Sequence, residues 1–183
     1  TGTYNNHSGY ALLAVVSEDR EKAPVDSAQR VTVSVSPDKE VDIESPSGKI
    51  SLRIPQGAVD TPVDVELAEL APWGSTGMRI VKLFELNTKL PESGGEVTQF
   101  NKELEITIKH DPNELDGLNI DSLRLYYLDE ESHRWVPVST STYDREAGVL
   151  TANTNHFSYY GEQANPLING PGRVMSAQVD MHS

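Results

Sequence analysis

Apolar and polar residues alternate one for one through the middle of this sequence, and the alternation recurs in six separate runs. Val31, Val33 and Val35 alternate with Thr32 and Ser34; Val41 and Ile43 flank Asp42; Ile50, Leu52 and Ile54 flank Ser51 and Arg53. Val63, Val65 and Leu67 follow the same rule, as do Leu104, Ile106 and Ile108, and then Leu123, Leu125 and Tyr127. Successive side chains on a strand point to opposite faces, so this pattern puts one face on a core and the other in water. Breakers separate the runs: Ser36-Pro37-Asp38, Ser45-Pro46-Ser47-Gly48, Pro55-Gln56-Gly57, Pro91-Glu92-Ser93-Gly94-Gly95, Asp111-Pro112-Asn113 and Glu146-Ala147-Gly148. Many short half-buried strands with regular turn signals predict an all-β fold, an antiparallel β-sandwich. No segment sustains a helical period; Asn113-Glu114-Leu115-Asp116 is long enough for one turn.

The two ends read differently. Residues 1–30 form an N-terminal arm and linker: the apolar run Tyr10–Val16 is a single strand or a partly ordered arm, and a polar stretch follows it. Residues 31–160 form the sandwich. Residues 161–183 are polar and rich in Gly and Pro and read as a linker to a downstream region, so flexible tails are expected at both ends. Thr1-Gly2-Thr3-Tyr4 is no signal peptide and carries no initiator Met, which points to a processed or excised piece.

Composition excludes several classes. The 183 residues carry 28 acidic and 15 basic side chains, a formal charge of -13. Such a chain is repelled by phosphate backbones, so nucleic acid is not an expected partner. There is no cysteine, which removes disulfides, thiolate metal sites and cysteine nucleophiles. No apolar stretch approaches the roughly 18 residues of a membrane span.

Three stretches resemble one known family. Gly48-Lys49-Ile50-Ser51-Leu52-Arg53-Ile54-Pro55-Gln56-Gly57-Ala58-Val59 resembles the entry of the ZU-five domain of zonula occludens proteins, ankyrins and netrin receptors, which has relatives on bacterial surface proteins. Ser122–Tyr127 followed by Trp135-Val136-Pro137-Val138 reads as a hairpin across Asp129-Glu130-Glu131-Ser132, with Trp135 as a large core filler. Leu150–Tyr160 resembles the family's final strand and contains the tripeptide His156-Phe157-Ser158. The resemblance covers roughly residues 38–160 and implies a ZU-five-like sandwich. His-Phe-Ser also occurs in two kinds of self-cleaving protein, a death-domain adaptor with ZU-five-like modules and the autoproteolytic nucleoporin domain. Both are cut between Phe and Ser, which by resemblance makes Phe157–Ser158 the scissile bond here.

The chemistry of such a cut can be argued from the residues. The Ser158 hydroxyl adjoins the Phe157 carbonyl, so attack carries little of the entropic cost of bringing reactants together. A serine needs a base, and His156 has the right intrinsic pKa. Attack turns the amide into an ester, which water hydrolyses. A twisted peptide would help, since about 12° of ω distortion stores about 1 kcal/mol. Asn153, Thr154 and Asn155 stand close enough to orient His156 or stabilise charge, and the sequence does not choose among them. No oxyanion donor is identifiable. The bland alternative is a closing strand with Phe157 buried and His156 and Ser158 pointing outward.

Other candidates are weaker. Asp111–Gly117 and Asn119-Ile120-Asp121 offer oxygens for calcium but do not match the twelve-residue loop, and read as a solvated acidic loop. Asp129-Glu130-Glu131 reads as a hairpin tip. His7, His110, His133 and His182 show no metal spacing and are assigned no site, and no cofactor is expected. Trp73, after Pro72 in a turn, is the one plausible exposed platform for a sugar. The segment Gly172–Ser183 resembles the lead into the shell of large bacterial RHS/YD-repeat and virulence-protein-B-like secreted proteins. That resemblance implies an N-terminal module of an exported bacterial protein, extracellular or at the cell surface. Two readings follow: a single-turnover self-cleaving sandwich whose partner is its own C-terminal fragment, or a non-catalytic interaction or spacer module that meets other domains of the same protein.

Overall fold

A computed structural model describes residues 29–72, 77–95, 97 and 99–168. The Tyr10–Val16 run, most of the N-terminal linker, Trp73, His7, His182 and Gly172–Ser183 lie outside the described residues. The chain is all-β, with two antiparallel sheets packed face to face. The strands are β1 (Arg30–Val35), β2 (Val41–Glu44), β3 (Ile50–Ile54), β4 (Val63–Leu70), β5 (Arg79–Lys89) and β6 (Gln99–Lys109). After a 3-10 turn at Ile120–Ser122 come β7 (Arg124–Asp129), β8 (Arg134–Pro137), β9 (Thr142–Asp144), β10 (Val149–His156) and β11 (Tyr159–Ala164). One sheet runs β1-β4-β5-β11-β7-β8, the other β2-β3-β6-β10-β9. No helix among the described residues is long and apolar enough to cross a membrane.

The six alternating runs all become strands, and their apolar positions meet between the sheets. Ile50, Leu52 and Ile54 of β3 lie opposite or beside Leu104, Ile106 and Ile108 of β6, and face Val63, Val65 and Leu67 of β4 within one buried cluster. Their polar neighbours Ser51, Arg53 and Glu105 point outward. Pro55 stops β3, and Gly57 turns the chain with φ +79° while its N–H donates to the Pro37 carbonyl at 2.8 Å. A Cβ there would be strained, which is why the turn takes glycine.

The expected final strand over Leu150–Tyr160 is two strands in different sheets. β10 pairs with β6 and β9; β11 lies between β5 and β7 in the other sheet. Only Phe157 and Ser158 make the crossing. The sandwich also continues past Tyr160: Gly161–Ala164 belong to β11, and all six residues of that strand are buried. Beyond it, Pro166 bridges Leu118 and the Leu167 N–H donates to the Gly117 carbonyl at 2.8 Å. The sequence hid this because Gly161-Glu162-Gln163 is polar. A strand central in its sheet is still covered when its polar groups find partners inside.

Trp135 does not fill the space between the sheets. It sits half-buried on β8 directly opposite Leu128 and packs with Tyr159 and Leu70 in a second, smaller cluster. Tyr160, one residue on from Tyr159, joins the main core, so the second cluster lies on the outer face of its sheet. Gly161 lets the Trp135 ring come close: a Cβ at that position would lie 3.2 Å from two ring carbons.

Candidate functional site

His156 ends β10, just past a break in register. Thr154 stands opposite Leu104 but His156 opposite Gln99, so β10 leaves the regular ladder as it approaches the crossing. Such irregularities re-aim side chains at sheet rims. Phe157 then turns its ring onto Phe100, with centroids 4.1 Å apart and planes tilted by 52°. It is half-buried against the main core, and this contact anchors the crossing.

Ser158 is 7% exposed and does not point into water. Its hydroxyl donates to the Leu128 carbonyl of β7 at 2.6 Å, and its own carbonyl accepts from the Leu86 N–H of β5 at 3.0 Å. The crossing is therefore tied to both neighbours of β11 before that strand begins. His156 and Ser158 are brought to one site but not hydrogen-bonded to each other. His156 Nδ1 lies 3.2 Å from Thr154 Oγ1, and Nε2 is buried with no hydrogen-bond partner. Burial pushes the His156 pKa below the usual histidine value, with Asp129 pulling weakly the other way. The imidazole is neutral at pH 7. The Tyr127 ring meets it edge to face with centroids 4.4 Å apart. Both His156 and Ser158 line a cavity of about 270 Å³, walled by Leu86, Tyr127, Leu128 and Asp129 among others. That volume is enough for several waters.

Among Asn153, Thr154 and Asn155, the structure places Thr154 on the histidine. Thr154 Oγ1 also lies 2.7 Å from the Tyr160 hydroxyl, which donates to the His156 carbonyl at 2.7 Å. Tyr160 is fully buried and stacks on Phe84. Its role was invisible in the sequence, where it reads as one more apolar strand residue. Asn153 instead engages Thr140: its N–H donates to Thr140 Oγ1 at 2.8 Å and its carbonyl accepts from that hydroxyl at 3.0 Å. Neither Phe157 nor Ser158 has a positive φ; His133 in the β7–β8 turn is the one described non-glycine residue that does.

A second titratable cluster was missed altogether. His110, directly after β6, and Glu162, in the middle of β11, meet between the sheets with Nε2 and Oε1 2.7 Å apart and side chains 2% and 0% exposed. His110 Nδ1 lies 3.1 Å from the Gly148 carbonyl and must donate to it, so a single further proton occupies the His110–Glu162 contact. Burial drives the Glu162 carboxyl above its ordinary pKa, and His110 does not fully offset that. Burial alone lowers His110, but the hydrogen bond and charge of Glu162, with the Gly148 carbonyl and Glu114, carry it above the usual histidine value. No sequence pattern links a residue just after β6 to one in the middle of β11.

The acidic stretches have local partners. Asp111 pairs with Lys49, Glu114 with Lys82 and Asp121 with Arg145. Asp129 holds the β7–β8 turn by accepting from the Ser132 hydroxyl at 2.6 Å, and that bond keeps its carboxyl below the ordinary value. No family model matches this chain, and no curated protein does.

Proposed function

We propose that this chain is a self-cleaving, ZU-five-like β-sandwich that cuts its own backbone once, between Phe157 and Ser158. The observation that carries the reading is the site of the tripeptide. His156 ends β10 and Phe157-Ser158 cross between the sheets, with a buried serine and a histidine whose Nε2 is buried and partnerless lining one cavity. In the cut, Ser158 Oγ forms a bond to the Phe157 carbonyl carbon as His156 Nε2 takes the hydroxyl proton. The C–N bond to Ser158 breaks, and the proton passes to the freed amine. Water then hydrolyses the ester, leaving a Phe157 carboxylate and a free N-terminal Ser158. The reading requires the hydroxyl to leave the Leu128 carbonyl and reach His156. The pieces stay together, because β11 is paired on both sides. By the separate resemblance of Gly172–Ser183, the module belongs to an exported bacterial protein of the RHS/YD-repeat type, extracellular or at the cell surface.

One observation favours a second reading, a non-catalytic interaction or spacer module of a large surface protein. The 2.6 Å bond from Ser158 to Leu128 gives the serine a structural role with no chemistry. The outermost strands β1, β8, β2 and β9 then offer backbone groups to other domains of the same protein. Intact mass spectrometry under denaturing conditions separates the two, after incubation at neutral pH and with Ser158→Ala in parallel. Self-cleavage gives two masses that sum to the chain plus one water, breaking after Phe157, and the variant abolishes them. One uncut mass in both samples refutes self-cleavage and leaves the interaction module.

A further inference from the structure

We propose that Thr154 and Tyr160 are positioning residues that fix His156 as its Nδ1-protonated tautomer, leaving the buried Nε2 as a bare proton acceptor. The argument is a count of protons. The Tyr160 hydroxyl has one proton and two neighbours at 2.7 Å, the His156 carbonyl and Thr154 Oγ1. A carbonyl only accepts, so the tyrosine proton goes there. The Thr154 proton must then go to the Tyr160 oxygen, or two oxygens would face each other at 2.7 Å with no proton between them. Thr154 Oγ1 has no proton left for the imidazole and can only accept from it. The ring nitrogen 3.2 Å away, Nδ1, therefore carries the hydrogen. Nε2 keeps its lone pair. A protonated Nε2 would instead be a buried N–H without an acceptor, which costs free energy for no return.

The chain of bonds closes on itself. It starts at the carbonyl of His156, passes through Tyr160 and Thr154, and ends on the ring of His156. The same three bonds thus set the tautomer and hold the backbone that enters the crossing. Tyr127 packs nearly perpendicular to the imidazole, with centroids 4.4 Å apart. The use of this tautomer as a base rests on the self-cleavage reading; the assignment of the proton does not.

The test is a long-range ¹H–¹⁵N correlation spectrum of protein labelled with ¹⁵N-histidine, in a Ser158→Ala background so that the chain is intact. At pH 7.5 the expected result is a protonated Nδ1 and an unprotonated Nε2 for His156, assigned by its loss in His156→Gln. Tyr160→Phe frees the Thr154 hydroxyl to donate to Nδ1, and the two nitrogen shifts should exchange or average. Thr154→Val should do the same, and Thr154→Ser should restore the native shifts. With Ser158 present, mass spectrometry should show the cut slowed at least about tenfold in Tyr160→Phe and Thr154→Val, since the general base is then in the wrong tautomer. An Nε2-protonated His156 in the intact protein, or shifts unmoved by both substitutions, overturns the proposal even if the chain cuts itself. Native shifts that respond as stated in a chain that never cuts would instead uphold the tautomer and overturn self-cleavage.

Discussion

Removing His110 should make the stability of the fold steeply dependent on pH, and the size of the effect follows from the burial of Glu162. In the native protein the pair holds one proton between two side chains that water does not reach. In His110→Ala, Glu162 loses the imidazole that meets it between the sheets, keeps only the more distant charge of Lys82, and should take up a proton to stay inside. Protonating a carboxyl of ordinary pKa 4.5 at pH 7 costs about 3 kcal/mol. The sign follows from proton binding. Folded His110→Ala keeps a proton that its unfolded chain releases above pH 4.5, so stability falls as pH rises. Integrated from pH 5 to pH 7, that loss approaches about 3 kcal/mol. The native pair should lose less than about 1 kcal/mol over the same range, because its unfolded chain carries a histidine that stays protonated to about pH 6.5. Urea unfolding followed by tryptophan fluorescence at pH 5, 6 and 7 measures both slopes. Glu162→Gln is the control: it keeps the shape, needs no proton, and should flatten the difference in a His110→Ala background. A His110→Ala protein whose loss of stability is the same at pH 5 and pH 7 would refute the one-proton pair.

Two further perturbations test the packing around the crossing. Gly161→Ala puts a methyl 3.2 Å from the Trp135 ring and from Gln163 Nε2, and should cost about 1–3 kcal/mol in the same urea assay, with a change in tryptophan emission. Phe100→Ala removes the ring that Phe157 rests on, 2% exposed in the native fold, and should cost about 3–5 kcal/mol. Hydrogen exchange should then rise first at residues 156–158, whose local anchor is gone.

What could be read from the sequence was whatever repeats locally. β1, β2, β3 and the runs Val63–Leu67 of β4 and Leu104–Ile108 of β6 alternate because one face is buried and the other more open, whereas in β7 the alternation ends at Leu128, buried on the outer face of its sheet. β5 was not legible. Its run Ile80-Val81-Lys82-Leu83-Phe84 breaks the alternation where the pairing with β11 slips, between Glu162 and Gln163, and where Leu83 and Phe84 are buried on successive positions. β9 is three residues long and too short to carry a period. β10 and β11 merged because no glycine or proline marks the point where the chain changes sheets; tertiary pairing alone divides them. The site was half legible. His156, Phe157 and Ser158 stood out as a tripeptide, but Thr154 and Tyr160 share a proton path that only the folded chain assembles. In the closing-strand alternative Ser158 points outward. Its inward turn reflects the crossing, where strand parity no longer applies.

The place of β11 in its sheet has a mechanical consequence. Tension on the residues after Ala164 enters the fold through a strand with neighbours on both sides, not through an edge. Pulled along its axis, such a strand loads its cross-strand bonds to β5 and β7 in shear, and they must yield together, whereas an edge strand such as β8 can be peeled one bond at a time. The Leu118–Pro166 bridge and the Leu167–Gly117 bond stand ahead of that ladder and take up load first. The sandwich therefore resists a pull on that segment as a clutch does. Its grip resides in the sheet and not in the continuity of the backbone at the crossing.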